Sequence, residues 1–433
     1  MPTKLERIAE IAKERPEERF TSLVHLINEE SLIQAHRRMK AKKVPGIDKV
    51  TKDKYEENLE ENIKDLITRM KRNAYRPQPA LRRYIFKTGT NKTRPLGIPA
   101  YEDKLVQLAL KEILEAVYEQ DFLNYSYGFR PQLGCHKALK ALNYIIEKKG
   151  INYIVDADIK GFFEHLDHKR LMEFLSIRIA DPKINRLIVK FLKAGVMEEG
   201  SLLPTLEGTP QGGIISPLLA NIYLHYVLDL WFKETIRERC KGSAYLIRYA
   251  DDFTCCFQYL EEAHRFYQDL TERLKEFNLE LAEDKSKIIS FGKDSLEPLT
   301  FDFLGFTHYA GKNKKGKFRV KRKTSRKKFT ASLKRCKEWL KINRNTKTKI
   351  IMQKLTIKLL GYYRYCGITD NTKALVGFRT EVGKLLFKWM NRRSQKRSFD
   401  WNKFNLFLKR YPLPIPKSTV HIYDLSPNFS YLC

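Results

Sequence analysis

Two adjacent aspartates inside an apolar, strand-forming run restrict the fold of this chain more than any other feature. Residues 243–258 read SAYLIRYADDFTCCFQ, and Asp251 and Asp252 divide the run into two halves rich in β-forming residues. Burying part of an acidic pair costs free energy unless a positive group offsets the charge. The run therefore predicts a strand, a tight turn and a second strand, with both carboxylates projecting at the turn.

A second predicted strand carries acids that could meet this pair. Residues 151–163 read INYIVDADIKGFF, and strand alternation would place Ile154, Asp156 and Asp158 on one face. Mg²⁺ prefers one or two carboxylates with substrate phosphates and water, and two such ions about 3.5–4 Å apart can clamp the oxygens of phosphoryl transfer. Asp158 and the 251–252 pair therefore predict a site for divalent cations, whereas solvated turn acids are the alternative.

The charge of the chain predicts a polyanionic partner. Its 433 residues contain 82 Lys and Arg against 51 Asp and Glu, a net charge of +31, and 42% of the residues are hydrophobic. This composition excludes a disordered chain and suffices for about two or three packed cores. The surface would attract nucleic acid or, as the alternative, anionic lipid. The charged N-terminus and the lack of a long apolar run predict a cytoplasmic protein without a membrane span.

The cysteines predict neither a zinc site nor a disulfide framework. None of the seven stands in a CxxC pair, which is the usual element of a structural zinc site. Their odd number and irregular spacing favour reduced thiols, most of them buried.

Hydrophobic periodicity predicts helices through residues 1–75 and then an extended hairpin. Gly89 and Asn91 mark a tight turn between two strands, at residues 82–87 and 92–98. Further amphipathic stripes predict helices over EDKLVQLALKEILEAVY, SPLLANIYLHYVLDLWF and YLEEAHRFYQDLTERLKEFNLEL.

Two residues predict where the second of these helices begins. Ser216 is placed to cap the helix and Pro217 to occupy its first turn. The preceding GTPQGG would then be a loop that ends at a helix N-terminus.

Positive charge is concentrated after residue 311. Residues 312–349 hold 18 Lys or Arg and one acid, a net charge of +17. A helical region with interleaved aromatics follows to about residue 410, and the Pro-rich end predicts an extended arm. Four aromatics in this region have the spacing of a helix core, with stacking on bases as the alternative: Tyr362, Tyr363, Tyr365 and Trp389.

The order of several short motifs resembles that of the reverse transcriptases encoded by group II introns. YSYGFRP, DIKGFF, GTPQGGIISPLLANIYL, YADD, LAEDKSKII and FLGF follow one another as they do in that family. VPGIDKVT resembles the N-terminal extension, IFK with TRPLGIP resembles the fingers hairpin, and LKRYPLPIPK resembles the end of the thumb. Each motif alone is weak, but the ordered set is specific and covers nearly the whole chain.

The resemblance implies an α+β right-hand polymerase, in which fingers and palm with an antiparallel sheet precede an α-helical thumb. The implied domains are an N-terminal extension (1–75), fingers and palm (76–308), a thumb or maturase (X) domain (309–416) and a C-terminal tail (417–433). The implied activity is RNA-directed DNA polymerisation, with a maturase role in group II intron splicing and retrohoming. The implied partners are an RNA template, a DNA primer, dNTP and a group II intron RNA; the oligomeric state is left open.

Four residues are implied at the catalytic centre. Asp158 and Asp251 would ligate two Mg²⁺ ions, for which Mn²⁺ could substitute, and the carbonyl of Ile159 would help to hold one of them. Asp252 would lie beside them and complete the acidic set.

The resemblance also assigns basic residues to the incoming nucleotide. Lys87 and Arg94 resemble the fingers residues that grip its triphosphate, where negative charge grows as pyrophosphate leaves, and Lys92 could share this task. Lys285 is a candidate general acid for the pyrophosphate, with a solvated surface lysine as the alternative.

A glycine-rich loop and an aromatic ring are implied around the nucleotide. Gln211, with Gly212 and Gly213, would form a cradle where the backbone approaches the nucleotide closely, although an ordinary loop before a helix is the alternative. Phe163 would lie under the sugar and exclude a ribose 2′-OH, unless it is simply a core ring. Phe162 is the better core candidate.

The basic block suits a thumb that holds an RNA–DNA duplex by its phosphates, through contacts that are insensitive to base sequence. The residues assigned to this task are Arg319, Lys321, Arg322, Lys323, Arg326 and Lys327.

The chain departs from the family pattern in several places. The GxDG turn reads GIDK, so Lys49 replaces its second glycine, FFD reads FFE, and an arginine usual after FRP is absent. Because the sequence ends at Cys433, we expect no DNA-binding or HNH endonuclease domain and a DNA end or nascent strand as primer.

The sequence leaves two alternative functions open. One is a domesticated reverse transcriptase in host defence or DNA repair, which a ribozyme-like RNA around the gene would argue against. The other is an RNA-binding splicing factor with a vestigial polymerase. Intact Asp158, Asp251, Asp252, Arg94 and Gln211 argue against the second.

Overall fold

A computed structural model describes residues 3–86, 93–198, 201–203, 207–208, 212–295, 297–393 and 399–423. The chain divides into two compact units. The first contains residues 1–86, 92–134 and 155–288, and the second contains 87–91, 135–154 and 289–433.

The described residues form α-helices and β-strands in an irregular alternation. The helices are α1 (Lys4–Glu14), α2 (Glu29–Arg38), α3 (Lys52–Glu56), α4 (Leu59–Lys71), α5 (Tyr101–Asp121), α6 (Cys135–Lys148), α7 (His168–Arg178), α8 (Pro182–Leu192), α9 (Ser216–Leu224), α10 (Arg237–Arg239), α11 (Leu260–Glu276), α12 (Arg326–Asn343), α13 (Thr348–Cys366), α14 (Thr372–Met390) and α15 (Trp401–Arg410). The strands are β1 (Ala80–Phe86), β2 (Thr93–Ile98), β3 (Tyr153–Asp158), β4 (Val196–Glu198), β5 (Ser201–Leu203), β6 (Ala244–Tyr249), β7 (Asp252–Phe257), β8 (Lys287–Ser290), β9 (Phe301–Phe303), β10 (Phe306–Lys312) and β11 (Phe318–Thr324). Shorter turns are a 3₁₀ turn at Val24–Leu26 and π-helical turns at His225–Asp229 and Phe232–Ile236.

The predicted helices of residues 1–75 are confirmed as α1 to α4. Side-chain oxygens of Thr3, Asn28 and Thr51 accept backbone N–H groups and start the first three helices. Helix α4 buries Ile63 and Leu66, which belong to the apolar stripe that predicted it.

The turn VPGIDKVT is attached to the start of α5. Asp48 Oδ2 accepts a hydrogen bond from Tyr101 N–H at 2.7 Å, where a carboxylate faces the positive end of the helix dipole. A Cβ on Gly46 would lie 2.5 Å from the carbonyl oxygen of Pro99, so this approach requires glycine. Lys49 adopts φ +56°, a left-handed conformation that the glycine usual in the family would adopt without strain.

The predicted hairpin in residues 82–98 is confirmed. Strands β1 and β2 pair antiparallel from Leu81↔Ile98 to Phe86↔Thr93, and β1 also pairs parallel with β4 in a sheet of order β2-β1-β4-β5. The turn that joins them lies outside the described residues.

The strand–turn–strand prediction for SAYLIRYADDFTCCFQ is also confirmed. Strands β6 and β7 pair antiparallel as far as Tyr249↔Asp252, which leaves a two-residue turn at Ala250 and Asp251. The sheet has the order β6-β7-β3-β8, so β3, the other predicted acidic strand, is the neighbour of β7. Both predicted sources of carboxylate therefore belong to adjacent strands.

The start of α9 differs from the prediction. The helix begins at Ser216 itself, Ile215 is its N-cap residue in a helical conformation, and no side chain caps it. Ser216 is therefore inside the helix, and Pro217 lies in its first turn as expected.

The second unit contains strands that the sequence analysis did not predict. Strands β11, β10 and β9 form an antiparallel sheet, so residues 312–324 of the basic block belong to a hairpin that precedes helix α12. The predicted boundary at residues 308/309 falls inside β10. Helices α12 to α15 then surround an apolar core, which confirms the helical region up to residue 410.

Four of the six cysteines in the described ranges are buried, as predicted. None of the six cysteines in the described ranges forms a disulfide, and Cys255, Cys256, Cys336 and Cys366 are buried. Where the structure describes the chain, no helix is both long and apolar enough to cross a bilayer.

Candidate active site

The end of strand β3 is bound to the segment that precedes β8. Ala282 N–H donates to the carbonyl of Asp158 at 2.8 Å, and Lys160 N–H donates to the carbonyl of Glu280 at 2.9 Å. These two hydrogen bonds flank Ile159, whose own carbonyl takes no part in them. The backbone therefore fixes Asp158 and leaves the neighbouring carbonyl oxygen available as a ligand.

The same segment brings Lys285 to Asp158. Lys285 Nζ donates a hydrogen bond to Asp158 Oδ2 at 2.5 Å, and its backbone N–H donates to Ala282 O at 2.9 Å in a turn. The hydrogen bond to the Asp158 carboxylate raises the pKa of Lys285. The ammonium is thus held as a proton-bearing cation beside the predicted catalytic acid.

The acids of β3 act electrostatically on Asp251, in the turn between β6 and β7, and on Asp252, the first residue of β7. Burial, and then the charge of Asp158, raise the pKa of Asp251, while Arg94 and Arg248 oppose that rise. The Asp252 residue keeps accessible surface, yet burial around its carboxyl raises its pKa to about 7, with further contributions from Asp156, Asp251 and Asp158. Carboxyls from both strands therefore share one electrostatic neighbourhood.

The donor set fits Mg²⁺. Carboxylate and carbonyl oxygens are the hard ligands that this ion selects, and it usually keeps water or substrate phosphate in its other positions. Among the residues that the structure describes, no three His, Cys, Asp or Glu side chains form a preformed cage. Such a cage is not required, because Asp158 and the turn acids need supply only part of the ligand shell.

A buried network behind the turn was not predicted from the sequence. Arg248 has no exposed surface, and its guanidinium donates to both carboxylate oxygens of the equally buried Asp229, at 2.7 and 2.5 Å. It also donates to Asn221 Oδ1 at 2.9 Å and to the carbonyl of Ala250 at 3.1 Å. A charged residue in each of two apolar runs, AYLIRYA and IYLHYVLDLWF, was the signal that could have revealed the pair.

The predicted nucleotide-binding residues are only partly described. Lys87, Lys92 and Gln211 lie outside the described residues. Arg94 is exposed on β2, opposite Ile85, and its charge reaches Asp251.

The glycines around GTPQGG make close backbone contacts. A Cβ on Gly208 would lie 2.6 Å from Phe163 O, and one on Gly212, at φ +117°, would lie 2.4 Å from Gly97 O. These approaches require glycine and place Gly208 against the segment after β3 and Gly212 against β2.

The two rings after β3 have different surroundings. Phe162 is 1% exposed, which confirms it as the core ring, whereas Phe163 is half-buried and packs edge-on against it at 5.4 Å between centroids. Phe163 thus has a free surface with which to meet a ligand.

The residues assigned to duplex binding fall into two groups. Lys323, Arg326 and Lys327 are exposed and Lys321 is half-buried, so all of them have surface for phosphate contacts. The assignment of Arg322 is wrong, because its side chain is fully buried and hydrogen-bonds Asn143 instead of facing solvent.

Arg319 is half-buried and already has partners. Its guanidinium donates to both carboxylate oxygens of Asp370 at 3.0 and 3.2 Å and lies over the ring of Tyr423. Its charge is thus largely neutralised within the protein.

The aromatics of the helical region are mainly core residues. Tyr363 and Trp389 are buried at 4% and 7% exposure, and Tyr362 and Tyr365 pack against the same core while partly buried. This confirms the core interpretation for Tyr363 and Trp389.

The fold and the acids define a candidate site for phosphoryl transfer assisted by divalent cations. A family described as reverse transcriptase (RNA-dependent DNA polymerase) matches residues 85–308, and the chain belongs to this family.

The relatives include a group II intron-encoded protein, which confirms the resemblance to that family. The group II intron-encoded protein LtrA of Lactococcus lactis subsp. cremoris is 43% identical over 234 residues, which cover 53% of this chain and 39% of that protein. Protein YkfC of Escherichia coli K12 is 34% identical over 280 residues, which cover 57% of this chain and 73% of YkfC. An uncharacterized 91 kDa protein in the cob intron of Schizosaccharomyces pombe is 41% identical over 163 residues, 38% of this chain and 20% of that protein. The chain thus spans about two fifths of the length of the Lactococcus protein.

Proposed function

We propose that this protein is a reverse transcriptase that copies RNA into DNA, with Asp158, Asp251 and Asp252 as its catalytic acids. The proposal rests on one observation above all: strand β3, which ends at Asp158, is the sheet neighbour of β7, which begins at Asp252 directly after Asp251. Family membership supports the reaction class.

The elements take the parts of a right-hand polymerase in this proposal. The sheet β6-β7-β3-β8 is the palm, the hairpin β1–β2 belongs to the fingers, and helices α12 to α15 belong to the thumb. Residues 1–75, with the first four helices, form the N-terminal extension, and residues 417–433 form the tail. The sheet β11-β10-β9 is grouped with the thumb, because its hairpin carries eight of the 18 basic residues of the block.

Asp158, Asp251 and the Ile159 carbonyl would hold two Mg²⁺ ions, or Mn²⁺ in their place. These ions would activate the primer hydroxyl and offset charge on the leaving group. The 3′-OH of the primer attacks the α-phosphorus of a dNTP and loses its proton to solvent; a P–O bond forms as the bond to pyrophosphate breaks. Lys285, held at Asp158, donates a proton toward the pyrophosphate. Asp252 supplies negative charge beside the site.

The remaining residues hold the nucleotide. Arg94, with Lys87, neutralises charge on the β- and γ-phosphates, and Arg94 lies near enough for its charge to reach Asp251. Gln211, with Gly212 and Gly213, would form the cradle that approaches the nucleotide. The exposed part of the Phe163 ring lies under the sugar and excludes a 2′-OH.

Primer extension on an RNA template tests the proposal. The wild-type protein should extend a DNA primer with dNTPs only when Mg²⁺ or Mn²⁺ is present, and Asp251→Asn should abolish extension. Glu280→Gln is the matched control, because Glu280 is an exposed acid on the neighbouring segment, paired with Lys160. Extension by Asp251→Asn at the wild-type rate would refute the assignment.

A maturase role is the second proposal, with the similarity to intron-encoded relatives and the basic block as support. The partner would be a structured group II intron RNA. Saturable binding to such an RNA, in preference to a duplex of equal length and at fixed salt, is expected. Equal affinity for the intron RNA and for the duplex would show only non-specific binding to a polyanion, and the maturase proposal would fail.

A further inference from the structure

The catalytic turn contains a residue in an unfavourable conformation. Ala250 adopts φ +59°, the left-handed region that costs a residue with a Cβ roughly 1–2 kcal/mol. Asp251 follows directly, so the orientation of its carboxyl depends on how firmly Ala250 is held. A strained turn persists only where surrounding contacts determine it.

The guanidinium of Arg248 is hydrogen-bonded to the turn. Arg248 NH1 donates to the carbonyl oxygen of Ala250 at 3.1 Å, and the same nitrogen donates to Asn221 Oδ1 at 2.9 Å. The other side of the guanidinium donates to Asp229 from Nε and NH2, at 2.7 and 2.5 Å. The fork of Arg248 therefore joins helix α9, the following π-helical turn and the catalytic turn.

A second contact joins Asn221 back to the turn through Gly128. Asn221 Nδ2 donates to the carbonyl of Gly128 at 2.7 Å, and the Cα of Gly128 packs directly on the turn. A Cβ at Gly128 would lie 2.4 Å from Ala250 N and 2.9 Å from the carbonyl carbon of Tyr249. Arg248, Asn221 and Gly128 thus hold Ala250 through a hydrogen bond on one side and backbone contact on the other.

Stability alone gives a weak reason for this ion pair. Arg248 and Asp229 are both 0% exposed, and the desolvation cost of such a pair offsets much of its attraction. Apolar residues of similar volume commonly serve as well in a core. What they cannot provide is a donor to the Ala250 carbonyl.

We propose that Arg248 is a positioning residue, which together with Asn221 and Gly128 locks the Ala250–Asp251 turn so that Asp251 faces Asp158. Arg248 touches neither substrate nor reacting atoms in this role. The expected effect of Arg248 on the reaction rate rests on the proposed polymerase function. Its expected effect on the order of the turn does not.

Two variants and two matched controls test it. Arg248→Met with Asp229→Leu removes both charges together, and Arg178→Met with Asp121→Leu does the same to another ion pair of the first unit, at 3.0 Å. Gly128→Ala pushes a methyl group into the turn, whereas Gly134→Ala is its control, since a Cβ there meets nothing within 4 Å. Gly128→Ala leaves the buried charges intact, so it remains informative if the charge-free double variant fails to fold.

Two measurements are compared across these proteins. Deuterium uptake of the peptide covering residues 249–252, in buffer without metal, should increase for Arg248→Met/Asp229→Leu and Gly128→Ala and stay unchanged in both controls. For the same two variants kcat should fall about 100-fold, with the KM for dNTP held within about twofold, because a small misplacement of a reacting group costs about that much.

The outcomes separate the two claims. If turn exchange and kcat stay within about twofold of the controls, Arg248 is only a structural residue and the inference is wrong. If the wild type extends no primer, the proposed function fails, and deuterium uptake still decides whether the network locks the turn.

Discussion

Lys285 Nζ lies 2.5 Å from Asp158 Oδ2, although 127 residues separate the two along the chain. The contact unites the two motifs DIKGFF and LAEDKSKII. It also gives Lys285 a definite position, since its ammonium faces a carboxylate that we assign to catalysis. The pKa of Lys285 is raised mainly by this hydrogen bond, so the side chain carries its proton throughout the physiological range.

Removal of this ammonium should slow the chemical step. We expect Lys285→Ala to lower the rate of single-nucleotide addition about 100-fold at saturating Mg²⁺, because a positioned general acid contributes at least that much. Rapid-quench measurement of one addition gives the rate directly. Lys160→Ala is the control, because Lys160 is an exposed lysine that pairs with Glu280 at 2.8 Å on the same two segments. Equal rates for both variants would show that Lys285 is only a surface charge.

Phe163 should set the choice of sugar. Because the ring is half-buried with a free surface, Phe163→Val should open space for a 2′-OH and reduce discrimination against ribonucleotides about tenfold or more. The ratio of kcat/KM for dNTP and NTP measures this. Phe162→Leu should lower stability and leave the ratio unchanged, since Phe162 is a core ring. An unchanged ratio in Phe163→Val would assign Phe163 to the core as well.

Asp252 should make stability depend on pH. Burial and the neighbouring carboxylates raise its pKa from 3.8 to about 7, so between these values the folded protein keeps a proton that the unfolded chain has lost. This group therefore costs stability as the pH rises through that interval. We expect Asp252→Asn, at pH 8 and without divalent cations, to melt about 2–4 °C above wild type, a gain of about 1 kcal/mol after screening at a partly exposed site.

The difference between Asp252→Asn and wild type should disappear at about pH 3, below both pKa values, where the folded and unfolded states both hold the proton. Melting curves across this pH range check the sign. A gain that grows toward low pH would contradict the raised pKa.

Local pattern predicted much of the candidate site. The run around Asp251 shows strand-forming residues on both sides of an acidic turn, and pairing up to Tyr249↔Asp252 follows from that pattern. Strand alternation likewise placed Asp158 at the end of β3. Which strands become neighbours depends on long-range pairing, and local pattern does not predict it. The expectation that these acids meet came from the order of the motifs, which resembles that of group II intron reverse transcriptases.

The buried network was missed because it depends on which helix packs behind which strand. Arg248 looked like one more basic residue in a basic protein. Its partner Asp229 is 19 residues earlier, at the end of a π-helical turn that no local pattern predicts. Only the rule that a charge in an apolar run needs a partner could have linked them.

The strand β11 was missed for a different reason. In FRVKRKT the buried residues alternate as Val320, Arg322 and Thr324, but three basic residues in succession conceal that period. Charge was therefore interpreted as surface, and Arg322 was wrongly assigned to nucleic acid.

Neighbours on β11 should respond differently to substitution. Arg322→Met should change the melting temperature and leave RNA affinity unchanged, because the side chain is buried against Asn143. Lys323→Ala should leave the melting temperature unchanged and reduce the slope of log affinity against log salt by about 0.7–0.9, as expected for one lost phosphate contact. Filter binding over a salt series and melting curves provide both values. If the salt slope were reduced in Arg322→Met and unchanged in Lys323→Ala, then Arg322 and not Lys323 would contact the RNA phosphates.

The most direct test of the account is the position of bound cations relative to the acids of β3 and the β6–β7 turn. A crystal structure with RNA template, a 3′-deoxy DNA primer, dNTP and Mn²⁺, with anomalous scattering data, locates the ions independently of the protein density. We predict two anomalous peaks that share oxygens of Asp158 and Asp251. Ions bound elsewhere, or Asp158 and Asp251 too far apart to share one, would contradict the proposed polymerase site.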